Sequence, residues 1–381
     1  MNDIFVYPLQ NSKEYKDVIN SISNKKGSLL INGLLAVQKP HIVYSMYRDL
    51  NRQTIFITNT DLEAKKVYDD LSFYMKDNVE YLGSQDILFY HLDAKDRSEE
   101  ARKLKVLLKL AKGENIILVT SIEAVMRKYI PKEVLLENIY TYKIGDTVNL
   151  ENLSETLVNL GYERVSKVEG FGQFSIRGGI IDIFSLEYNN PIRMELFDDE
   201  IDSIRTFDIF SQKSIDKIKK FSVTPSREFI YPEDVKDAVA KLKKDTSKHT
   251  NDDVFANIDN INSKTYFQGV ENYIDYLYPE ENKSIFTYLQ DNAIVFFNDI
   301  SRTKERCENY LNEFKENYKL NLERGLAIKN QGKLIYTYNE LELLSEGRKI
   351  VLNTLFCPKD SLLVILLKPA SFTNWVQFAT W

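Results

Sequence analysis

The sequence predicts an α/β fold in which a parallel sheet covered by helices is interrupted by an inserted α+β domain. Three observations support this prediction. Short apolar runs alternate with amphipathic helical patterns over residues 20–128, which is typical of the parallel sheets of nucleotide-binding domains. Between residues 129 and 221 the pattern changes to strands with a single helix. A later apolar run, Ile294–Phe297, predicts a strand that returns to the first sheet.

The first region can be divided into elements in chain order. The apolar run at residues 53–59 predicts a buried strand, and Asp61–Tyr74 has the spacing of an amphipathic helix. A second strand is predicted at residues 78–83. Residues 98–113 contain a helix start and a glycine stop, and residues 115–121 predict another strand.

The remaining elements are predicted from weaker patterns. One helix is expected at residues 150–160 of the inserted domain, and a charged helix at residues 233–245 after it. Residues 247–262 are rich in Asn and Asp and are interpreted as a polar connection. A charged helix at residues 302–318 follows the returning strand.

These changes of pattern predict the domain boundaries. The α/β domain occupies residues 1–128, and the inserted α+β domain occupies residues 129–224. The α/β domain then resumes over residues 225–356. Residues 357–381 are apolar and rich in aromatic residues, and we interpret them as an atypical tail.

Composition and charge exclude several classes of function. Hydrophobic residues make up 43% of the chain and charged residues 28%, so a folded globular protein is expected rather than a disordered one. The net charge of -6 gives no general attraction for phosphate backbones, and no basic patch is evident. Cys307 and Cys357 lack any ligand spacing, so neither a disulfide framework nor a metal site is expected.

No membrane or secretory segment is evident in the sequence. The amino terminus lacks the basic start and long apolar stretch of a secretory signal. The longest strongly apolar run, residues 362–367, is much too short to cross a bilayer. We therefore expect a cytoplasmic protein.

Residues 170–207 read as a series of strands in an antiparallel sheet. Glycines at positions 178 and 179 and the Asn-Asn-Pro sequence at 189–191 predict tight connections. Alternation in residues 192–197 predicts two faces: Ile192, Met194 and Leu196 on one, and Arg193, Glu195 and Phe197 on the other. Because Arg and aromatic side chains are enriched among the residues that dominate protein interfaces, the second face is a candidate docking surface.

The phosphate-binding loop expected in an α/β domain of this kind is degenerate. The pattern GxxxxGK[ST] places backbone amides and a Lys around phosphates and a hydroxyl on magnesium. Gly33 and Lys39 are in register with this pattern, but Gln38 replaces the second glycine and Pro40 replaces the hydroxyl residue. Gln38 adds a Cβ to the loop, and Pro40 removes an amide donor and the metal ligand. The sequence therefore predicts that this loop binds neither ATP nor magnesium.

The segment FSIRGGIIDIF (174–184), followed by NPIRMELFDDEIDSIRTFD (190–208), resembles the UvrB-homology module at the amino end of the bacterial transcription-repair coupling factors (Mfd). The resemblance extends from about residue 13 to residue 356. It implies a helicase-like, UvrB-type α/β fold. In that family, and in UvrB, this domain binds UvrA, so the resemblance also implies UvrA as the partner.

The family's UvrA-contacting positions correspond to three residues of this chain. Arg177 lies in SIRGG, Arg193 in PIRME and Phe197 in ELFDD. In an extended strand Arg193 and Phe197 point the same way and lie about 13 Å apart, so that Arg can pair with a carboxylate and Phe can fill a neighbouring pocket. The alternative is that Arg193 pairs internally with Asp198 or Asp202 and that Phe197 caps the domain core.

The chain departs from UvrB in two further places. Where UvrB has an Asp-Glu pair that holds magnesium, this chain has Asn298 and Asp299, and Asn is the weaker ligand for a hard cation. Asp299 is then interpreted as a surface or capping residue. The long tyrosine-rich hairpin with which UvrB grips DNA has no room in residues 87–102, where Phe89 and Tyr90 are interpreted as core or rim residues.

The resemblance thus implies a non-catalytic module that recruits UvrA in transcription-coupled nucleotide excision repair. Full-length members of the family are ATP-dependent DNA translocases, and their contacts with RNA polymerase, double-stranded DNA, ATP and Mg²⁺ belong to downstream domains whose motifs do not occur here. For the tail at 357–381 the hypothesis is a truncated or frame-shifted reading frame. Two alternatives are a UvrB-like ATP-dependent protein that binds damaged DNA, and an inactive remnant of a truncated gene.

Overall fold

The computed structural model of the protein describes residues 4–24, 28–89, 97–354 and 364–366. Its strands are β1 Leu29–Asn32, β2 Thr54–Thr58, β3 Val79–Leu82, β4 Ile117–Ser121, β5 Tyr140–Lys143, β6 Glu163–Arg164, β7 Gln173–Arg177, β8 Ile180–Ile183, β9 Ile192–Phe197, β10 Glu200–Phe207, β11 Ser214–Ile218, β12 Lys220–Val223, β13 Ile294–Phe297, β14 Lys349–Thr354 and β15 Val364–Leu366.

The α-helices are α1 Tyr7–Gln10, α2 Lys13–Asn24, α3 Gln38–Leu50, α4 Asp61–Tyr74, α5 Arg97–Ala111, α6 Ile122–Met126, α7 Lys132–Glu137, α8 Leu150–Asn159, α9 Lys236–Asp245, α10 Asp252–Asn262, α11 Ile274–Leu277, α12 Ile300–Glu323 and α13 Tyr338–Ser345. Short 3₁₀ helices occur at Val270–Tyr273, Ile285–Tyr288 and Lys329–Lys333. Among the residues described, no helix is both long and apolar enough to span a bilayer.

A seven-stranded sheet forms the centre of the α/β part, in the order β15-β1-β14-β13-β2-β4-β3. Every neighbouring pair is parallel. All residues of β1, β2, β4 and β13 are buried, as expected when helices cover both faces of a parallel sheet. The α/β class is confirmed, and β13 returns to pair with β2 as predicted.

Two hydrophobic cores lie on the two faces of this sheet. Alternate residues of β2 serve both, because Phe56 packs with α2, α3 and α4, whereas Ile55 and Ile57 pack with α5, α6 and α12. The predicted helix at Asp61–Tyr74 has the same bounds in the structure, and Thr60 caps it by accepting a hydrogen bond from the Glu63 amide. Local patterns therefore predict this region well.

One predicted connection is wrong. Residues 247–262 contain the helix α10, which buries Val254, Ile258 and Ile261. These apolar side chains are spaced by four and three residues and so form one face of the helix. Asn251 caps the helix by accepting from the Asp253 amide, so a polar residue that suggested a loop marks the helix start.

Between β4 and β13 the chain forms a separate six-stranded sheet in the order β11-β10-β9-β8-β7-β6, together with the two-stranded ribbon β12-β5. The inner face of the larger sheet packs against α8, with Ile181, Ile192 and Met194 meeting Leu153 and Leu157. This packing directs the alternate side chains of β7 to β11 to the outer face, which carries the residues considered next.

Several residues singled out from the sequence lie at or beyond the ends of the described ranges. Within the tail, β15 adds a parallel strand beside β1, and the other tail residues lie outside the described part of the chain. Cys307 is buried in the core, whereas Cys357 lies outside the described residues. Phe89 packs on the core with its ring 6.2 Å from that of Tyr318, and Tyr90 again lies outside the described residues.

Candidate protein-docking site

The hairpins of the six-stranded sheet bring the candidate residues onto its outer face. The glycine turn predicted at positions 178 and 179 connects β7 to β8, with Arg177 paired to Ile180. Gly178 has a φ of +61°, which glycine adopts at little cost. In the next pair, β8 and β9, Asp182 lies directly opposite Arg193. Local turn chemistry thus sets the register that assembles the site.

Asp182 is the centre of this face. It is 1% exposed, and its carboxylate accepts hydrogen bonds from Arg177 Nη2 at 2.6 Å, Arg193 Nε at 2.7 Å and Arg193 Nη2 at 2.9 Å. A buried carboxylate is costly unless it is paired and hydrogen-bonded, and here two guanidinium groups meet that need. The internal partner of Arg193 is therefore Asp182 and not Asp198 or Asp202, both of which are exposed.

Arg193 contacts Phe207 and Gln212 as well as Asp182. Its guanidinium lies 4.3 Å from the centre of the Phe207 ring, and its Nη2 also donates to Gln212 Oε1 at 3.1 Å. The side chain is only 15% exposed. Hydrogen bonding to Asp182 raises the pKa of Arg193, so the residue stays charged. These contacts make Arg193 mainly a residue that positions its neighbours.

Arg177 is the more accessible arginine. Its side chain is 48% exposed, and within the described part of the chain only Nη2 is seen to donate to Asp182. A guanidinium has five N–H donors in a rigid fork, so Arg177 has donors besides the one bonded to Asp182. Arg177 can therefore donate hydrogen bonds to a carboxylate of a partner protein while its Nη2 remains bonded to Asp182.

Phe197 projects from the end of β9 and is 80% exposed. The turn at Gly178 and Gly179 lies beside the preceding residue, where Gly179 O accepts a hydrogen bond from the Leu196 amide at 2.8 Å, and it leaves the Phe197 ring uncovered. On the other side, Phe197 pairs with Glu200 across the turn that begins β10. The alternative in which Phe197 caps the domain core does not match this exposure.

Glu195, like Asp182, is paired with an arginine on this face. Glu195 forms an ion pair with Arg205 and accepts from Ser203 Oγ at 2.9 Å. No group of His, Cys, Asp and Glu side chains suited to a metal ion occurs among the described residues. The arrangement offers a charged surface from which the Phe197 ring protrudes.

The loop at residues 33–40 lies elsewhere, after the carboxyl end of β1. Gly33 follows β1 with a φ of +82°, and Gln38 Oε1 accepts from the Leu35 amide at 3.0 Å. Lys39 is 7% exposed in the first turn of α3, and burial lowers its pKa despite the nearby charge of Glu63. The Gln38 side chain thus occupies one backbone donor of this loop.

Asn298 occupies the end of β13 within the same region. It is fully buried, donates from Nδ2 to Glu63 Oε1 at 2.7 Å and accepts from Asn353 Nδ2 at 3.1 Å. Asp299 precedes α12 with a φ of +52°, without a side-chain capping bond, and lies 3.5 Å from Arg302 Nε. Asp299 therefore occupies the N-cap position of α12, but its side chain makes no capping hydrogen bond.

Residues 141–229 match the family model of the UvrB interaction domain, and this range contains Arg177, Asp182, Arg193 and Phe197. The chain is also similar to transcription-repair-coupling factors. The protein of Bacillus subtilis strain 168 is 29% identical over 369 residues, covering 91% of this chain and 30% of the relative. That of Staphylococcus epidermidis RP62A is 28% identical over 342 residues, covering 86% and 29%.

A further relative, from Staphylococcus aureus MRSA252, is 29% identical over 346 residues, which is 87% of this chain and 29% of that protein. The chain therefore spans about 30% of the length of the curated relatives it matches. The resemblance to transcription-repair coupling factors that the sequence motifs predict is confirmed by these matches.

Proposed function

We propose, on the premise of its similarity to transcription-repair-coupling factors, that this chain recruits UvrA during transcription-coupled nucleotide excision repair and has no catalytic activity of its own. The observation that supports this most is the exposure of Phe197, at 80%, beside the arginine pair of a domain that matches the UvrB interaction domain. The docking surface comprises Arg177, Asp182, Arg193 and Phe197.

The chemistry of this surface suits a protein partner. Aromatic and Arg side chains dominate binding energy when they insert into desolvated pockets, and Phe197 and Arg177 are the accessible members of the set. Asp182 and Arg193 restrain the neighbouring strands through their ion pair. A surface that is ordered before binding loses less conformational entropy when the partner arrives.

The geometry near Lys39 supports the non-catalytic part of the proposal. Glu63 supplies an internal carboxylate to Asn298, and its negative charge also acts on Lys39. These groups would otherwise be available to phosphate or to a metal ion. Pro40, in the first turn of α3, carries neither a backbone donor nor a hydroxyl for magnesium.

A pull-down with purified UvrA tests the proposal. The immobilised chain should retain UvrA, and Phe197→Ala should retain much less. Phe73→Ala is the matched control, because Phe73 is 76% exposed but lies on α4 of the α/β part. Failure of the unaltered chain to retain UvrA, or equal losses in both variants, would contradict the proposal.

A further inference from the structure

We propose that Phe210 is a second aromatic anchor of the docking surface, contacted by an acidic segment of UvrA at the end of β9 opposite to Phe197. This inference rests on the proposed function. None of the motifs or family matches described above assigns a role to Phe210.

Phe210 is the most exposed large hydrophobic residue in the described part of the chain, with 88% of its surface accessible. It lies in the turn at residues 208–213, which connects β10 to β11. An isolated exposed apolar residue is ordinary on a protein surface, so exposure alone does not identify an anchor. The structure of the turn and its neighbours supplies the further argument.

The turn is fixed by hydrogen bonds that leave the Phe210 ring outside. The Asp208 carboxylate accepts from the Ser211 amide at 2.7 Å and from Ser211 Oγ at 2.8 Å. The Gln212 amide donates to Asp208 O at 2.8 Å, and Gln212 Nε2 donates to Ile209 O at 2.9 Å. Phe210 is thus displayed by a braced segment, which reduces the entropy lost when a partner covers it.

The same turn is joined to the arginine cluster. Gln212 Oε1 accepts from Arg193 Nη2 at 3.1 Å, and Phe207, directly before the turn, lies beneath the Arg193 guanidinium. A partner that reaches Arg177 and Phe197 therefore meets a continuous, rigid surface that extends to Phe210. Continuity with the proposed docking surface is the reason for assigning Phe210 to the same partner.

The strand register places the two phenylalanines at opposite ends of β9. Phe197 is the last residue of β9. At the other end of β9, the Phe207 amide donates to Pro191 O at 3.1 Å, and the turn that carries Phe210 begins at the next residue. Arg193 lies between them, about 13 Å from Phe197 along the strand at 3.3 Å per residue. Two aromatic anchors would therefore flank the arginines.

The charge around Phe210 indicates the chemistry of the partner segment. Arg193 lies opposite Arg205, and Arg205 lies opposite Lys217, so three basic side chains form a row across β9, β10 and β11. Arg193 and Arg205 are paired with Asp182 and Glu195, so Lys217 is the member of the row whose charge is presented to a partner. Lys217 and Lys213 are exposed. Carboxylates on the partner complement this end of the surface.

Calorimetric titration of the purified chain with UvrA tests the inference. Phe210→Ala should raise the Kd by about 5- to 100-fold, the range for an interface anchor, without changing the Tm of the free chain. Phe73→Ala should leave the Kd unchanged. Lys217→Glu should weaken binding several-fold more than Lys217→Ala, because it places like charges against the acidic segment.

The outcomes separate this inference from the proposed function. If Phe197→Ala weakens binding and Phe210→Ala does not, Phe210 is not an anchor and the proposed function stands. If the unaltered chain does not bind UvrA, both are wrong. If Phe210→Ala changes only self-association in analytical ultracentrifugation, Phe210 belongs to a contact between copies and the inference is overturned. Equal affinities of Lys217→Glu and Lys217→Ala would contradict the acidic segment.

Discussion

Asp182 and Arg193 face each other across β8 and β9 and form a two-point ion pair, with Arg193 Nε 2.7 Å from Oδ1 and Nη2 2.9 Å from Oδ2. This ion pair gives Arg193 the internal partner that the sequence left open. The resemblance to the family selects Arg193 as a contact with the partner, but its charge is directed inward to a buried carboxylate. Arg177 and Phe197 present the accessible groups.

Asp182→Ala should destabilise the inserted sheet. Removing one member of a buried pair leaves the other charge uncompensated, which costs about 3 kcal/mol at the lower end of the usual range. Differential scanning calorimetry of the whole chain should show one transition moved to lower temperature. Asp202→Asn removes an exposed carboxylate from β10 and should leave the thermogram unchanged. Equal thermograms for all three proteins would contradict the role of Asp182.

Arg177→Ala should weaken UvrA binding by about 1–2 kcal/mol while changing stability by less than about 1 kcal/mol. The reason is that Arg177 is 48% exposed and that Arg193 continues to pair with Asp182. Arg193→Ala should instead lower stability and binding together. Titration calorimetry measures the UvrA affinity of the two variants and thermal unfolding measures their stability. Together they distinguish a residue that contacts the partner from one that positions its neighbours. A larger stability loss in Arg177→Ala than in Arg193→Ala would reverse these assignments.

Gly179→Ala should weaken UvrA binding without altering any residue of the docking surface. A Cβ at Gly179 would lie 3.0 Å from Leu196 O, so the end of β9 next to Phe197 has to shift. We expect destabilisation of about 1–2 kcal/mol, as for other overpacked positions. Gly170→Ala is the matched control, because nothing lies within 4 Å of a Cβ there. Binding unchanged in Gly179→Ala would mean that the turn does not shape this surface.

The purified chain should show no ATP turnover above background, and Lys39→Ala should not alter that result. Lys39 is buried next to the charge of Glu63, and Gln38 Oε1 accepts a hydrogen bond from the Leu35 amide. A coupled assay for released phosphate measures this directly. Turnover that is lost on Lys39→Ala would favour the alternative, a UvrB-like ATPase.

The parallel sheet and α4 could be predicted from sequence because their signals are local. Buried strands such as β2 are apolar throughout, and Thr60 marks the start of α4. The helix α10 is not evident from sequence, because its three buried apolar residues stand among Asn and Asp residues that also occur in loops. Burial of these residues against the rest of the protein stabilises the helix, and a local sequence pattern does not show which residues become buried.

The arrangement of the proposed docking surface can be predicted only in part from sequence, for a related reason. Alternation correctly separated Arg193 and Phe197 from the inner face, and the glycine turn was evident. The partner of Arg193 depends on register between β8 and β9, which is fixed by the whole sheet. The sequence signal for Asp182 is the two-residue turn at Gly178 and Gly179, because the strand pairing of β7 with β8 can be counted outward from it.

The central claim is that this surface binds UvrA. Titration of UvrA into the unaltered chain and into the double variant Arg177→Ala/Phe197→Ala tests it most directly, with Phe73→Ala as the control for an exposed aromatic residue. We expect saturable binding to the unaltered chain and to the control, and a loss of at least about 2 kcal/mol in the double variant. Undiminished binding by the double variant would contradict the claim.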